Sequence, residues 1–528
     1  MKRLLLSLFI AILCVSQLCA QEFLHIGEHI IPISNIKKIT QSVAVHPLSL
    51  SLMLENDSKI SIYVEALKAT GMIDSLKFCI DSSYEILNDD SCKWIGDYNP
   101  STGGIDLAYP KERRFNFTFF ACPDSILSAK YNIRDLNGLR AKAKEIYSTV
   151  YPEDANVTDE TDRRNYLNRF VSFQLLNFYG AYHTLTAFDF SNWANMAYHP
   201  ELGFEIDDWY ETAMPFSIMK LSYSSYELYI NRRMDADTPV SGVKIFSPRE
   251  VSLDAYAING TYHYIDGIAA YDNNTKNVVL NERMRFDLST LSPDFMSKLA
   301  DGETARGHSD AKYNTPYDGH AQAVAFKPGY VRNFEFDDNS IIAISNRHSG
   351  SAIGWAVYQG DEFYIYPNMG RYDVTMKLPP VPAGKYELRL GYCAYQQNHI
   401  VAFYIDDAPA DIVDLRPNDA TNSWIGDAYS KGYDCEELVD NDRQLRNKGY
   451  MKAPANYFVS NGSVPLRDSP VAFRKIIGTL DTDGKSDHYL RIKLVNGNFN
   501  VLSFLAIDYI ELVPVSVYDN DEYPEDIY

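Results

Sequence analysis

The spacing of apolar residues predicts a mixed first part of the chain and a β-rich second part. Tyr63 to Leu76 and Arg163 to Phe178 carry apolar side chains at helical spacing, which predicts two amphipathic helices. Gly71 is expected to end the first helix, because glycine readily adopts the left-handed conformation found after helices. Later apolar runs predict three strands, at 216–221, 226–230 and 243–246.

The apolar period changes to two in the second part of the chain. Alternation at 385–392, 401–405 and 490–494 predicts half-buried strands, and the segments 382–385 and 481–485 supply turn residues. Many short strands at this spacing are typical of an antiparallel β-sandwich or jelly roll. The chain as a whole is therefore predicted to be α+β.

These patterns predict six consecutive segments. The range 281–316 includes a stretch rich in glycine and polar residues, which indicates a linker between two domains. We expect a signal peptide at 1–20, a lead-in at 21–57, a mixed α+β domain at 58–280, a linker at 281–316, a β-sandwich domain at 317–515 and an acidic tail at 516–528.

The first twenty residues have the organisation of a cleavable signal peptide. Lys2 and Arg3 precede a short apolar stretch, which is followed by the cleavable sequence Leu18-Cys19-Ala20. Leucine before Cys14 and before Cys19 disfavours a lipidation signal. No later stretch is apolar enough to predict a transmembrane helix. We expect export to the periplasm, the cell surface or the medium.

Charge and cysteine content exclude several classes of function. With 70 acidic and 49 basic residues, the chain has a net charge of −21, which argues against a nucleic-acid partner. Five cysteines lie beyond the signal peptide, an odd number that argues against a disulfide scaffold. They are Cys79, Cys92, Cys122, Cys393 and Cys435. A Cys79–Cys92 bridge is the alternative to isolated thiols.

Sequence motifs for metals, cofactors and catalysis are absent. The chain has no Cys-x-x-Cys pair, no His-Glu-x-x-His, no phosphate-binding loop and no Gly-x-Ser-x-Gly elbow, so we expect no metal site, no cofactor and no catalytic residue. Residues 481–487 resemble the start of a calcium loop, but the twelfth position is Ile492 rather than an acid. A hairpin turn is the favoured interpretation of 481–487.

Two segments of the first domain carry more specific patterns. Asn259-Gly260 predicts a type I′ hairpin turn, since both residues tolerate positive φ, and a strand with His263 follows it. Residues 118–127 predict a buried strand that stops at Pro123 and continues into a helix. Asp124 is a candidate N-cap of that helix, as is the serine after it.

Together these segments resemble the two conserved boxes of fasciclin domains. The matching residues are Thr118, Phe120, Ala121, Asp124, Asn259, Gly260, His263, Ile265 and Asp266. The resemblance implies a β-wedge with packed helices, structural roles for the box residues and an extracellular adhesion function. The family's Tyr-His pair is replaced by Phe173-Gln174, and the pair at 182–183 lies beyond the predicted helix. Integrin-type adhesion is therefore not carried over.

The second domain resembles carbohydrate-binding modules in two strands. Leu505 to Pro514 is similar to their closing strand, and 384–390 is similar to a Gly-x-Tyr-x-Leu-Arg-Leu strand of the same modules. The resemblance implies glycan binding, in which aromatic rings stack on sugars and amides bind hydroxyls. The candidate glycan-binding residues are Trp355, Tyr395, Trp424, Gln396 and Asn398.

The sequence therefore predicts an exported, non-catalytic adhesion or binding protein of the bacterial envelope. Its expected partner is a glycan or an envelope or surface protein. One alternative is a structural protein–protein interaction scaffold without glycan binding. A glycoside hydrolase or hydrolase accessory is a further alternative, because 70 acidic residues offer many carboxylate pairs. An exposed strip of aromatic residues would favour a glycan, and a flat apolar patch would favour a protein.

Overall fold

The computed structural model describes the larger part of both predicted domains. The described residues are 23–26, 29–32, 48–84, 93–95, 105–110, 112–182, 185, 206–224, 227–235, 238–253, 255–299, 323–346, 361–368, 370–394, 398–418, 443–454, 458–459, 464–465, 472–497 and 503–518. The predicted signal peptide and the acidic tail beyond Tyr518 lie outside these ranges. None of the helices within them is long and apolar enough to cross a membrane.

The described α-helices are short and lie mainly in the first part of the chain. They are α1 (Leu50–Glu55), α2 (Ser61–Ala69), α3 (Met72–Ser75), α4 (Asp124–Tyr131), α5 (Leu136–Val150), α6 (Tyr166–Phe173), α7 (Pro248–Val251), α8 (Pro293–Met296) and α9 (Val515–Tyr518). Single turns of 3₁₀ helix occur at Ser58–Ile60, Pro152–Asp154 and Leu288–Leu291, and a π-helical turn occurs at Thr275–Val279.

Strands make up most of the remaining regular structure. They are β1 (Phe23–Ile26), β2 (His29–Pro32), β3 (Lys93–Ile95), β4 (Ile105–Ala108), β5 (Phe117–Ala121), β6 (Leu175–Leu176), β7 (Ile206–Glu211), β8 (Ile218–Ser224), β9 (Glu227–Asp235), β10 (Thr238–Ile245), β11 (Tyr256–Ala257), β12 (Gly260–Tyr264), β13 (Met284–Asp287), β14 (Ala323–Phe326), β15 (Phe334–Phe336), β16 (Ser340–Asn346), β17 (Asp361–Pro367), β18 (Asp373–Lys377), β19 (Gly384–Cys393), β20 (Ile400–Ile405), β21 (Ala408–Asp414), β22 (Tyr450–Lys452), β23 (Phe458–Val459), β24 (Val464–Pro465), β25 (Ala472–Thr482), β26 (Tyr489–Asn496) and β27 (Leu505–Pro514).

The larger sheets separate into two groups. Two four-stranded sheets, ordered β10-β9-β8-β7 and β11-β12-β5-β6, lie in the first part of the chain. A ten-stranded sheet contains the path β22-β25-β19-β27-β17-β16-β14-β4-β3, and a five-stranded sheet has the order β15-β18-β26-β20-β21. Antiparallel pairing dominates, so the predicted α+β class with antiparallel sheets is confirmed.

The first part of the chain packs its helices against strand β5. The Tyr63 ring of α2 lies 6.0 Å from the Phe119 ring of β5 and 6.0 Å from the Phe170 ring of α6. All three side chains are fully buried. Gly71 has a φ of 70° directly after α2, which confirms the predicted end of that helix.

The helix predicted to reach Phe178 ends five residues earlier, at Phe173. Gln174 caps it, and its side-chain amide donates to the Ala269 carbonyl at 2.6 Å. Leu176 then pairs with Thr118 as a short edge strand. Pairing with β5 therefore overrides the helical spacing of the last apolar residues.

Strands β19 and β27 form the centre of the second part. Every residue of β27 is buried, as are the last eight residues of β19, which is typical of a strand covered on both faces. The five-stranded sheet alternates instead, with β18 half-buried at every second residue. The two antiparallel sheets give a sandwich-like arrangement around a shared core.

The first half of the range predicted as a linker is regular structure. β13 pairs with β27, placing Met284 opposite Leu512, and α8 follows with Phe295 fully buried. Phe295 packs 5.0 Å from Phe326, ring to ring. Because of these buried apolar residues, the segment 284–299 packs into the core. The glycine-rich stretch that suggested a linker comes after it. Residues 300–316 lie outside the described ranges.

The turn at 481–487 also differs from the prediction. β25 and β26 belong to different sheets, so 483–488 crosses between sheets and does not close a hairpin. The Asp483 carboxylate accepts from the Lys485 and Ser486 N–H groups at 2.8 Å each. Asp483 therefore fixes the local turn by itself, as aspartates commonly do.

Candidate functional site

The two segments that resemble fasciclin boxes lie side by side in one sheet. β5 and β12 are parallel neighbours, with Phe117 opposite Gly260 and Ala121 opposite Tyr264. All residues of both strands are buried. Of the nine box residues, seven are buried and the two carboxylates are half-buried. This strand pair is the best-defined candidate site in the described part of the chain.

Gly260 permits the close approach of the two strands. A Cβ atom at this position would lie 2.3 Å from the Phe117 carbonyl oxygen. This distance is too short for any side chain to be accommodated. The glycine is therefore required by the neighbouring backbone. The predicted reason, a positive φ in a type I′ turn, is wrong, since neither Asn259 nor Gly260 has a positive φ.

Asn259 uses its side chain to join its own turn to two distant segments. Its Oδ1 accepts from the Leu50 N–H at 2.8 Å, and its Nδ2 donates to the carbonyls of Leu76 and Phe78 at 2.8 and 2.7 Å. The hairpin turn between β11 and β12 consists of Ile258 and Asn259. Because Asn259 is 1% exposed, these bonds form without competition from water.

Thr118 and His263 hold the segment around Gly180 from both strands. Thr118 Oγ1 donates to the Phe178 carbonyl at 2.7 Å and accepts from the Gly180 N–H at 2.8 Å. His263 Nε2 donates to the Gly180 carbonyl at 2.8 Å. Burial lowers the pKa of His263 to about 4, so the ring is neutral near pH 7.

Asp124 caps a different helix from the one predicted. Helix α4 begins at Asp124 itself, and the preceding proline is its N-cap. The Asp124 carboxylate instead accepts from the Ser61 N–H at 2.9 Å, the Ser61 hydroxyl at 2.6 Å and the Ile62 N–H at 3.3 Å. It thus stabilises the first turn of α2, where a negative charge is favourable.

Asp266 fixes the backbone after β12, as predicted. Its Oδ1 accepts from the Lys244 N–H at 2.9 Å, and its N–H donates to the Lys244 carbonyl at 3.0 Å. The Lys130 ammonium group donates to the Asp266 carbonyl at 2.5 Å. These bonds tie β12 to β10 and α4 through one residue.

The remaining box residues are core. Phe120, Ala121 and Ile265 are fully buried, and the Phe120 ring lies 5.8 Å from the His263 ring. Asp57 was not predicted as a site residue, yet its carboxylate accepts from the hydroxyls of both Tyr262 and Tyr264. Two tyrosines two positions apart on one strand face were the signal that a shared acceptor was needed.

Several large apolar side chains are exposed near Asn259. Five exposed side chains lie on the segments that Asn259 joins or immediately beside it. They are Leu52 (45% exposed), Phe78 (61%), Ile80 (46%), Tyr256 (46%) and Ile258 (36%). We call these five residues the Asn259 surface. They account for more than half of the exposed large apolar side chains among the described residues, although all five lie within three short segments.

The predicted glycan-binding residues are mostly outside the described ranges. Trp355, Tyr395, Gln396 and Trp424 lie in that undescribed part. Asn398 is described and fully buried, and its Nδ2 donates to the carbonyls of Cys393 and Leu415 at 2.5 and 3.1 Å. Its predicted role as a ligand contact is replaced by a structural one, because no atom of its side chain reaches solvent.

The described aromatic residues of the second domain are largely core. Within 317–515, Tyr489 is the one described aromatic residue that is exposed, at 39%. Tyr364, Tyr366, Tyr392 and Tyr509 are each 2% exposed or less. The exposed aromatic strip that would favour a glycan is therefore not present in the described part of this domain.

Metal and thiol chemistry is not organised in the described residues. No group of three or more His, Cys, Asp or Glu side chains there is arranged to hold a metal ion. Cys79 and Cys122 are free thiols. Burial raises the pKa of Cys122 to about 12, which keeps its thiol protonated and unreactive near neutral pH.

Comparisons with known proteins assign no family. No family model matches the chain, and no curated protein matches it. A Paenibacillus xanthan lyase is 12% identical over 34% of this chain and 12% of the lyase, with a TM-score of 0.20. The catalytic domain of a GH87 alpha-1,3-glucanase in complex with nigerose is 13% identical over 35% of this chain and 27% of that chain, with a TM-score of 0.18. The insecticidal crystal protein Cry2Aa is 9% identical over 53% of this chain and 33% of that chain, with a TM-score of 0.18.

Each match covers a third or less of the length of the named protein's chain. Likeness at such TM-scores carries no argument about fold or activity. Function must therefore be argued from the residues of this chain.

Proposed function

We propose that the protein is an exported, non-catalytic binding protein of the bacterial envelope, and that its first domain binds another protein through the Asn259 surface. The observation that carries this proposal is the concentration of five exposed apolar side chains around one buried asparagine. Exposed apolar clusters of this kind are costly in water unless a partner covers them.

The scaffold beneath the Asn259 surface supports a protein partner. Asn259 fixes the backbone at Leu50 and Phe78 through hydrogen bonds, so side chains on those segments are presented from a rigid base. A preordered surface loses little conformational entropy on association. The surface also contains Phe78 and Tyr256, and aromatic residues are enriched at the centres of protein interfaces.

The fasciclin resemblance is part of this proposal. Adjacent parallel pairing of the two box segments supports it, since residues far apart in sequence share one hydrogen-bonded sheet. Phe173 and Gln174, at the positions of the family's Tyr-His pair, are fully buried. We therefore place the binding surface at Asn259 and not at the end of α6.

A non-catalytic role is consistent with the chemistry of the boxes. His263 is neutral and buried, and its Nε2 is bonded to a backbone carbonyl. Asp124 and Asp266 accept bonds from backbone N–H groups. Each polar group that would attract a catalytic interpretation is used for structure.

A binding assay with matched variants tests the proposal. The fluorescent full chain is applied to immobilised bacterial envelope, and the Leu52→Glu/Ile258→Glu variant is compared with Ile412→Glu/Val495→Glu. Both variants place two charges at exposed apolar positions, but the second pair lies on the sandwich. We expect retention to fall about tenfold for the first variant, equivalent to about 1.4 kcal/mol, and to stay unchanged for the second.

Pretreatment of the envelope identifies the kind of partner. Protease digestion is expected to abolish retention if a protein is bound, whereas periodate oxidation removes glycan receptors. Unchanged retention of the Leu52→Glu/Ile258→Glu variant would contradict the proposal for the Asn259 surface.

Glycan binding by the second domain is the second candidate function. It is favoured by an open groove at one edge of the sandwich, between β21 and β25. The carbohydrate-binding resemblance of 384–390 and 505–514 belongs with this candidate. We also propose a jelly-roll topology for this second domain.

A further inference from the structure

The edge of the sandwich contains an open groove of about 470 Å³, within the size range of ligand pockets. One wall is the end of β20 and the start of β21, and the other is 478–481 of β25. β21 is the outer strand of its sheet, and beyond Lys475 the second edge of β25 has no strand partner in the described part of the chain. The groove therefore lies between two strand edges.

Gly478 determines the depth of the groove. A Cβ atom there would lie 3.2 Å from Ile405 Cδ1 and 3.7 Å from Ala410 Cβ, so the two sheets approach closely at this residue. Larger side chains on either wall would fill the space. The small residues therefore leave an apolar floor that sugar C–H groups or other flat apolar surfaces can contact.

The polar side chains of the groove are mainly hydrogen-bond acceptors. Asp406 and Asp481 line it together with the Thr479 hydroxyl, and Pro409 contributes a carbonyl but no N–H. The Asp406 carboxylate is held in place, because Oδ1 accepts from the Tyr489 N–H at 2.9 Å and Oδ2 lies 2.7 Å from His488 Nδ1. Its remaining lone pairs are available to a ligand.

This set of groups selects among ligand classes. None of the described residues lining the groove is a lysine, arginine or histidine, whereas two are aspartates, so the lining offers an anionic ligand no cationic side chain. An added peptide strand needs alternating donors and acceptors along the edge, and Pro409 interrupts that pattern. A neutral sugar offers many hydroxyl donors and an apolar ring face, which match the acceptors and the floor.

We propose that this groove binds a neutral saccharide, with Asp406, Asp481 and Thr479 accepting hydrogen bonds from its hydroxyls. The site rests on the glycan-binding candidate above and gives it a location. It is separate from the Asn259 surface, which concerns the first domain.

Binding of the full chain to an array of neutral and acidic oligosaccharides tests the site, followed by calorimetry with the strongest neutral ligand. We expect Thr479→Ala/Asp481→Asn and the groove-filling Ala410→Tyr each to raise Kd about tenfold or more. Asp407→Asn is the matched control, because Asp407 is exposed on the same turn without lining the groove, and asparagine tolerates its φ of 63°. Its Kd is expected to stay unchanged.

Several results would overturn the groove site. Binding that survives the groove variants but is lost in Trp355→Ala/Trp424→Ala would place the glycan elsewhere while leaving glycan binding intact. The absence of saccharide binding by the folded full chain would remove both. Calcium chloride binding that depends on Asp481 would make the groove a cation site, and release of reducing ends from the bound sugar would identify a hydrolase.

Discussion

Asn259 joins parts of the chain that are about 200 residues apart. Its bonds to Leu50 and Leu76 span sequence separations of 209 and 183 residues. Replacing a buried group of this kind leaves its partners without hydrogen bonds, which costs more than the bonds themselves contribute. A single amide therefore maintains the geometry of the Asn259 surface.

Asn259→Ala is expected to lower the free energy of unfolding by about 3 kcal/mol, because one donor and two carbonyls lose a buried partner. Urea denaturation of the full chain measures the change. Asn137→Ala, on the exposed face of α5, is the control and is expected to cost less than about 0.5 kcal/mol. Equal costs for the two variants would show that Asn259 does not hold these segments.

His263 makes stability depend on pH. Its folded pKa of about 4 lies below the ordinary value near 6.5, so the unfolded chain binds more protons between these values. The contribution of neutral His263 is complete above about pH 6.5 and is lost as the pH falls toward 4, at up to about 1.4 kcal/mol per pH unit.

His263→Gln is expected to flatten this dependence, since glutamine can still donate to the Gly180 carbonyl but does not titrate. Unfolding free energies measured from pH 4 to 7 compare the two proteins. His399, whose pKa burial also lowers to about 4, contributes equally to both and cancels. A slope that does not change in the variant would assign the pH dependence to other groups.

At the scale of elements, helix α2 depends on a carboxylate from another helix. Asp124 lies at the start of α4 and accepts three bonds from Ser61 and Ile62 at the start of α2. The contact fixes α2 relative to β5, because α4 follows directly from that strand. Helix capping between elements thus adds to the packing of Tyr63 against Phe119.

A double-mutant cycle measures this contact. Asp124→Ala is expected to cost about 1 kcal/mol, the usual value for an N-cap side chain. Ser61→Ala removes the hydroxyl bond alone, so the cycle should give a coupling energy of at least about 0.5 kcal/mol. Additive costs would mean that the two side chains do not interact in solution.

The positions of several helices and strands could be predicted from the sequence, whereas the pairing between distant segments could not. The end of α2 at Gly71 and the strands near 218–224, 227–235 and 238–245 follow from apolar spacing and one glycine. The roles of Asn259 and Asp124 depend on residues far away along the chain, which no local pattern encodes. The groove at Gly478 was missed for the same reason, since its walls come from 405–410 and 478–481.

At the scale of the whole molecule, the two parts of the chain share one core. Buried apolar residues from α2, β5, β13 and β27 belong to a single contiguous cluster. Arg285 of β13 donates to Glu511 of β27 at 2.7 and 2.9 Å. Burial alone would raise the pKa of Glu511, but the surrounding arginines outweigh burial and hold that pKa well below its usual range.

Arg285→Met is expected to lower the free energy of unfolding by about 3 kcal/mol, because Glu511 stays buried after losing its closest partner. Lys485→Met removes a solvent-exposed ion pair with Glu153, and is expected to cost about 0.5 kcal/mol or less. Calorimetric unfolding of the full chain compares them. A smaller loss for Arg285→Met than for Lys485→Met would contradict a stabilising role for the buried Arg285–Glu511 pair.

The central claim is that the protein binds another protein at the Asn259 surface. The most direct measurement places a photo-crosslinking phenylalanine analogue at position 256 and, as a control, at position 489, which has a similar exposed fraction on the sandwich. After irradiation on bacterial envelope, a discrete protein adduct is predicted at 256 only, and Leu52→Glu/Ile258→Glu should abolish it. Adducts that are absent at 256, equal at both positions or insensitive to that variant would contradict the claim.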